Sequence, residues 1–309
     1  MGRAPTRPTR KDGEVVTQIL QYVVDTLSLG SLYALYSLGI AVVFGIARLI
    51  NFAHGELIMI AGFTLLLLDG WPLPLRLAAA CVAALIAAVL MERLAFRPVR
   101  GAKDDTLLIT SFAVSFFLQN LFIVMFGALP QGTLLLPALG SSFNVFGVSI
   151  GKLDAATIMV TFLSLAALTL FLTRSSLGIQ MRASAENFRM ARCLGVPANR
   201  VIATAFAISG LLAAFGAVMM VTRTGLTSPV MGVTPVFAAF VANIIGGLGR
   251  LSGAVLGSYL LAGLTVAFQA LLPVGPRSYR DAFVFGALLL VLVARPNGLL
   301  RAVATEQRV

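Results

Sequence analysis

Long apolar stretches recur along the chain, and they constrain its fold more than any other feature. A hydrocarbon core of about 30 Å is crossed by roughly 20 apolar residues in a helix, since each residue adds about 1.5 Å. Clear stretches of this kind cover residues 106–126, 155–173, 201–221 and 251–274. Only 11% of the 309 residues are charged, too few to cover the surface of a soluble chain. The sequence therefore predicts an all-α polytopic membrane protein.

Shorter and interrupted apolar stretches raise the predicted number of spans to eight or nine. Residues 77–91 and 282–294 are short, whereas residues 15–44 are too long for one straight span and contain Gly30 at a point where the helix could kink or divide. Residues 49–68 and 229–248 are interrupted by polar residues, and the second also by proline and glycine. Such interruptions are typical of broken or re-entrant segments.

A weak internal repeat accompanies these interruptions. The sequence GIARL at residues 45–49 is similar to GLGRL at residues 247–251, and each precedes an apolar helix containing glycine. Transporters often carry broken helices at corresponding positions of two halves. We expect one transmembrane domain over residues 15–300, a disordered basic extension at residues 1–14, and a cytoplasmic tail at residues 301–309.

Basic residues predict the orientation of the chain. The segments 92–105 and 174–200 are rich in arginine, and the positive-inside rule places both in the cytoplasm. Residues 128–154 carry a single cation, Lys152, and should face the other side. One apolar stretch separates this segment from each basic loop, so the assignments agree.

The N-terminal extension conflicts with this orientation. Its cations favour the cytoplasm; they are Arg3, Arg7, Arg10 and Lys11. Three spans before the first basic loop would instead place it outside. Dividing residues 15–44, or making residues 49–68 re-entrant, would remove the conflict, and the sequence leaves both solutions open.

Composition excludes several functional classes. The net charge of +11 lies in short segments between apolar stretches, which favours contact with anionic lipid over nucleic acid. Cys81, Cys193 and His54 are the whole supply of cysteine and histidine, so no metal site is expected. No nucleophile and base occur in a recognisable catalytic pattern, which predicts that the chain is not an enzyme.

Polar residues interrupt the apolar sequence RLINFAHGELIMIAGF at residues 48–63. A buried carboxylate or imidazole is costly unless it is paired or hydrated, so such groups in a membrane often line a transport path. We therefore expect Asn51, His54 and Glu56 to face the translocation pathway, together with Asn243 from the second interrupted stretch. The alternative interpretation is a loop at the membrane surface, where polar residues are ordinary.

The loop at residues 174–200 contains a possible docking helix. Residues 182–194 can form a short amphipathic helix with Ser184 as its N-cap, and Gly195 followed by Pro197 would end it. A short cytoplasmic helix suits a groove on a partner protein. The alternative is a helix that lies on the lipid surface.

The chain resembles the branched-chain amino-acid permease family, and its H-type member more than the M-type partner. The resemblance extends over nearly the whole chain and rests on several ordered motifs. These are NFAHGE at 51–56, ERLAFRPVR at 92–100, SFFLQN at 115–120, ASAENFRMARCLGVPANRVIATAF at 183–206, GGLGRLSGAVLG at 246–257 and ARPNGLL at 294–300.

The resemblance implies an ABC importer of the bacterial inner membrane. Its pathway is formed with a second, M-type permease, two ATP-binding subunits drive it, and a periplasmic or tethered solute-binding protein delivers the substrate. This chain has no Gly-x-x-x-x-Gly-Lys-Ser/Thr pattern, so ATP and Mg²⁺ are expected on the partner and no cofactor on this chain.

The family's ATPase-contacting loop maps onto residues 183–195. The positions that match it are Ala183, Glu186, Ala191 and Gly195. The match departs from the family pattern after Glu186, where Asn187 and Phe188 stand in place of two alanines.

Two questions stay open at this point. Related permeases serve branched-chain amino acids, but similar sequences carry urea, amides or aromatic acids. The second question is the functional class. One alternative to an ABC importer is a proton-coupled secondary transporter, with His54, Glu56 and Asp25 as its candidate proton carriers. Another alternative is a scaffold without transport activity.

Overall fold

A computed structural model of the chain describes residues 9–145, 148–273 and 279–294. The helices are α1 (Thr9–Ala47), α2 (His54–Leu67), α3 (Leu73–Met91), α4 (Asp104–Phe126), α5 (Lys152–Arg174), α6 (Ser176–Glu186), α7 (Phe188–Cys193), α8 (Ala198–Thr224), α9 (Val233–Gly246), α10 (Leu251–Leu271) and α11 (Arg280–Ala294). A π-helical turn, Glu92–Phe96, continues α3, and a 3-10 turn covers Pro137–Gly140.

Four short strands form two antiparallel pairs. Strands β1 (Gln131–Gly132) and β4 (Leu226–Thr227) join two distant connections, whereas β2 (Ser142–Val145) and β3 (Val148–Gly151) form a hairpin. All four lie in connections on the side of the protein opposite the basic loops.

Six helices of the described chain are long and apolar enough to cross a membrane. They are Thr17–Ala47 within α1, Leu73–Phe96, Asp104–Phe126, Lys152–Arg174, Ala198–Thr224 and Leu251–Leu271. The polytopic helical class and the four clear spans are therefore confirmed. Helices α2 and α9 have 14 residues each, or roughly 21 Å, which is shorter than the hydrocarbon core. The predicted count of eight or nine spans is not confirmed.

Helix α1 runs unbroken through the region that seemed too long for one span. Gly30 lies against the ring of Tyr259 in α10, so it serves close packing between helices and does not divide α1. The Ser31 hydroxyl is 2.9 Å from the Tyr259 hydroxyl, and Thr161 of α5 donates to the Ser31 carbonyl at 3.0 Å. These interhelical hydrogen bonds make α1 the centre of the bundle.

The beginning of α1 lies on the side of the bundle opposite the basic loops. Gln21 donates to the Ser149 carbonyl at 3.1 Å, and Ser28 donates to Asp154 at the start of α5. Both partners belong to, or directly follow, the segment that carries a single cation. The beginning of α1 is therefore on the side opposite the basic loops, and α1 is not divided. Residues 9–14 of the predicted disordered extension are helical, whereas residues 1–8 and 301–309 lie outside the described residues.

Small residues allow α3 and α8 to approach closely. Ala84 and Ala88 of α3 are fully buried, and a Cβ atom on Gly210 of α8 would lie 2.6 Å from the Ala84 carbonyl oxygen. At the cytoplasmic ends of these helices, Arg100 pairs with Glu92 and donates to Asn199 at 2.7 Å. Burial lowers the pKa of the Arg100 guanidinium, which the negative charge of Glu92 opposes.

Arg76 of α3 contacts α2, the turn that follows α2 and the residue that follows β1, all on the outer side of the bundle. Its Nη2 donates to the Leu65 carbonyl at 2.7 Å and to Thr133 at 3.2 Å, and its Nη1 lies 2.9 Å from Asp69. Leu65 is in the last turn of α2, where a cation suits the negative end of the helix dipole. Thr133 directly follows β1, so one buried arginine joins α2 to the outer strands.

Replacing Arg76 with methionine should destabilise the protein by about 1–3 kcal/mol, because the buried carbonyl and hydroxyl lose their donor. Thermal melting of the detergent-solubilised protein measures the loss. Lys152→Met is the matched control, since Lys152 is an exposed cation on the same side. Equal melting temperatures for the two variants would contradict the proposed importance of Arg76.

Candidate translocation site and coupling segment

Two short helices, α2 and α9, meet inside the bundle at their N-terminal ends, and we call them the half-helices. Gly55 at the start of α2 contacts Gly232, which directly precedes α9; a Cβ atom on Gly55 would lie 2.5 Å from the Gly232 carbonyl oxygen. From this contact α2 runs outward to Arg76, and α9 runs inward to a turn where Gly249 packs against Gly45. The N-terminal ends carry the positive ends of both helix dipoles. The arrangement is typical of binding sites made by broken transmembrane helices.

His54 is enclosed between α1, α2 and α8. Its side chain is 0% exposed, its Nδ1 lies 2.9 Å from the Ser209 hydroxyl, and its ring lies against Gly39 of α1. Its Nε2 has no hydrogen-bond partner among the described residues. The predicted residue therefore sits at the meeting point of the half-helices, closed off from both sides in this conformation.

Glu56 joins α2 to α4 through its carboxylate. Ser115 and Gln119 of α4 each donate to Glu56 Oε1 at 2.7 Å, while Oε2 has no partner in the described part of the chain. Glu56 also lies in the first turn of α2, where the helix dipole favours a negative charge. Two donors and a helix end offset the cost of burying the group. Gln119 is only half-buried, so the carboxylate lies near the edge of the bundle.

An aromatic cluster adjoins Glu56 between α4 and α9. Phe52 stacks on Phe112 with ring centroids 4.5 Å apart, and it lies 5.8 Å from Phe237 and 5.1 Å from Phe240. Phe237 is 46% exposed, so the cluster forms part of the surface within the membrane. Residue-by-residue interpretation of the sequence missed this cluster.

Sequence interpretation also missed Ser115 and Gln119, although a signal for them exists. Phe112, Ser115 and Gln119 are spaced i, i+3 and i+7 and so lie on one face of α4. Two polar residues on a helix face that begins with an aromatic residue indicate a contact with another polar group.

Asn51 and Asn243 occupy separate places. Asn51 is 3% exposed in the connection three residues before α2, with its Nδ2 3.9 Å from Met91 Sδ. Asn243 lies roughly 15 Å along α9 from the start of that helix. Its Nδ2 donates to the Ser37 carbonyl at 3.0 Å and to the Ala239 carbonyl at 2.8 Å. The side chains of Asn51, His54 and Glu56 thus contact three different helices, α3, α8 and α4, whereas Asn243 ties α9 to α1.

The loop at residues 174–200 folds as two helices, so the predicted single helix over residues 182–194 is wrong. Helix α6 begins earlier, where the Ser175 hydroxyl accepts from the Gly178 amide at 2.9 Å. Helix α7 begins after Asn187, whose Oδ1 accepts from the Met190 amide at 2.9 Å. Ser184 is buried within α6 and is not an N-cap. The break forms because an asparagine side chain competes with helical hydrogen bonding and favours an N-cap.

The four predicted coupling residues surround this break. Ala183 and Glu186 are exposed near the end of α6. Ala191 is 4% exposed in α7, and its carbonyl accepts from the Val196 amide at 3.0 Å. Gly195 has a φ of +86°, which suits glycine after a helix end. We call residues 176–195 the coupling segment.

The chain matches a family of transport proteins over most of its length. The family model described as "Branched-chain amino acid transport system / permease component" matches residues 22–293. The high-affinity branched-chain amino acid transport system permease protein BraD of Pseudomonas aeruginosa is 39% identical over 296 residues, covering 91% of this chain and 95% of the relative. The corresponding protein LivH of Escherichia coli is 36% identical over 304 residues, with the same coverage.

A more distant relative matches a smaller part. The xylose transport system permease protein XylH of Escherichia coli is 30% identical over 127 residues, or 39% of this chain and 32% of the relative. No solved structure matches the chain significantly. Two broken helices meeting in a membrane bundle agree with the transport role named for these relatives, and the match covers both broken helices and the coupling segment. The chain therefore belongs to the family of permease components of branched-chain amino acid transport systems.

Proposed function

We propose that this chain is the H-type permease subunit of an ABC importer for branched-chain amino acids and forms half of its translocation pathway. The observation that carries the proposal is the contact between the half-helices at Gly55 and Gly232, next to the buried carboxylate of Glu56. The substrate class follows from relatives 39% and 36% identical that are named as permeases for branched-chain amino acids.

The pathway begins, in this proposal, at the face of α2 and α4. The Oε2 of Glu56, which has no partner in the described part of the chain, leaves a polar atom for contact with the polar end of an amino acid. The neighbouring cluster of Phe52 and Phe237 offers apolar surface to a branched side chain. Asn51 and His54 lie directly before Glu56, and Asn243 holds the second half-helix in place. Counting α2, α9 and α11 as membrane segments beside the six long helices gives nine, the upper value of the predicted eight or nine.

Energy reaches the pathway from partner chains. ATP and Mg²⁺ bind to two ATP-binding subunits, because this chain lacks their phosphate-binding motif. The coupling segment docks onto those subunits from the cytoplasmic side, and a second permease completes the pathway. A conformational switch requires that the partners bind the two access states with different affinities.

Purification of the tagged protein from gently solubilised membranes, followed by mass spectrometry, tests this proposal. We expect a second permease, ATP-binding subunits and a solute-binding protein to accompany it. Titration of that binding protein with leucine, urea and amides then identifies the substrate. Recovery of a homo-oligomer alone in several mild detergents would overturn the importer proposal.

Glu186→Lys should weaken the docking of the ATP-binding subunits. Glu186 is exposed beside the break between α6 and α7, and a loss of about 1 kcal/mol corresponds to roughly fivefold weaker binding. The ratio of ATP-binding subunit to permease in the purified complex measures the effect. Asp105→Lys makes the same charge change on another exposed cytoplasmic site and should leave the ratio unchanged. Equal ratios in both variants would contradict docking at the coupling segment.

A further inference from the structure

The connection between α1 and α2 contains an unusual backbone conformation. Arg48 has a φ of 53°, and it is the one non-glycine residue with positive φ in the part of the chain that the structure describes. This conformation is unfavourable for a residue with a Cβ atom and persists where surrounding contacts enforce it. Six residues later the chain enters α2 at His54. Any rotation at Arg48 therefore moves the beginning of the half-helix.

The Arg48 side chain reaches the coupling segment. Its Nη2 donates to the Ala185 carbonyl at 3.3 Å. Ala185 lies in the last turn of α6, where carbonyl groups have no amide partner within their own helix. A guanidinium also suits the negative end of the helix dipole. One side chain thus joins the end of α6 to the connection that precedes α2.

The connection of the second half-helix lies beside the first. A Cβ atom on Gly45 would lie 2.9 Å from the Gly249 carbonyl oxygen, so the end of α1 contacts the turn between α9 and α10. Both connections therefore lie on the cytoplasmic side, close to the contact with α6. These are also the two segments with similar sequences, GIARL and GLGRL. The end of α6 and both connections therefore lie in one region of the protein.

We infer that Arg48 is the positioning residue that transmits displacement of the coupling segment to the start of α2. The inference rests on the proposed function, because the displacement comes from the ATP-binding subunits. In the proposed function Arg48 is not one of the residues that line the path, and ATP binds to the partner subunits. Its role is to make the position of α2 depend on the position of α6.

The test compares Arg48→Gly, Arg48→Gln and Arg48→Lys in the complete transporter reconstituted in liposomes. Glycine removes the side chain but accepts the positive φ, so the connection keeps its conformation. Glutamine removes the charge, and lysine keeps a cationic donor. The readout is the number of ATP molecules hydrolysed per amino acid transported, together with the amount of ATP-binding subunit in the complex.

We expect the glycine and glutamine variants to raise this ratio at least about fivefold, and the lysine variant to rescue it to within about twofold of the wild type. The amount of bound ATP-binding subunit should not change. Arg97→Gln, an exposed arginine on another cytoplasmic segment, should leave the ratio at the wild-type value.

Other outcomes overturn the inference in distinguishable ways. If the wild type transports but the Arg48 variants keep its ratio, the inference is wrong and the proposed function stands. If the wild type shows no ATP-dependent uptake, the proposed function fails and the inference with it.

If a variant does not assemble with the partner subunits, the rate of amide hydrogen exchange in the permease alone is the readout that tests the inference. Faster exchange in both 48–53 and 183–187, relative to Arg97→Gln, supports the inference, and unchanged exchange in either segment overturns it.

Discussion

Uptake should fall at least about tenfold when valine replaces Gly232, because the half-helices then can no longer touch. A Cβ atom at this position would overlap the Gly55 carbonyl group, and this group is backbone that cannot rotate away. The hydrogen bonds of Glu56 hold α2, and those of Asn243 hold α9, so neither helix can move freely. We also expect a loss of stability of about 1–3 kcal/mol. Uptake into proteoliposomes and thermal melting in detergent measure the two effects.

Gly286→Val is the matched control for this prediction. It makes the same change within α11, where a Cβ atom meets nothing within 4 Å. We expect wild-type melting and uptake for it. Wild-type behaviour of Gly232→Val as well would show that contact between the half-helices is not required.

Leucine at Glu56 should reduce uptake at least about tenfold, whereas glutamine should reduce it less than about threefold. Leucine leaves the donors of Ser115 and Gln119 without their acceptor in a site that is closed to water. Glutamine has a similar shape and an amide oxygen that accepts both hydrogen bonds. Uptake at a fixed ATP concentration, with and without an uncoupler, measures the effect and the energy source together.

Two comparisons make the Glu56 experiment decisive. Asp25→Asn should be close to wild type, because Asp25 is exposed at the outer end of α1 and accepts from Gln21. The uncoupler should leave uptake by the wild-type protein unchanged while the ATP concentration is held constant. An inactive Glu56→Gln, with wild-type uptake abolished by the uncoupler, would instead indicate that the carboxylate carries a proton and that the protein is a secondary transporter.

Properties that depend only on a short stretch of the chain could be predicted from the sequence. The length and apolarity of a stretch decide whether it can cross a bilayer, so spans such as those of α4 and α5 were predicted within a few residues. The position of the basic loops relative to these spans predicts the orientation by the same local argument, and the orientation stays a prediction. The polar interruption at residues 51–56 marked the beginning of α2, because helix breaks and polar residues in an apolar stretch are visible without any partner.

Tertiary structure decided everything that depends on residues far apart in the chain. The sequence could not show that Gly55 meets Gly232, or that Ser115 and Gln119 supply the donors for Glu56. It also left open whether the first apolar stretch divides, which the packing of α1 against α10 answers. A side chain's partner is set by how the helices pack, and packing places groups together whatever their separation in sequence. For this reason the sequence by itself determined the four clear membrane spans and the polar break, whereas only the folded bundle determined which groups meet there.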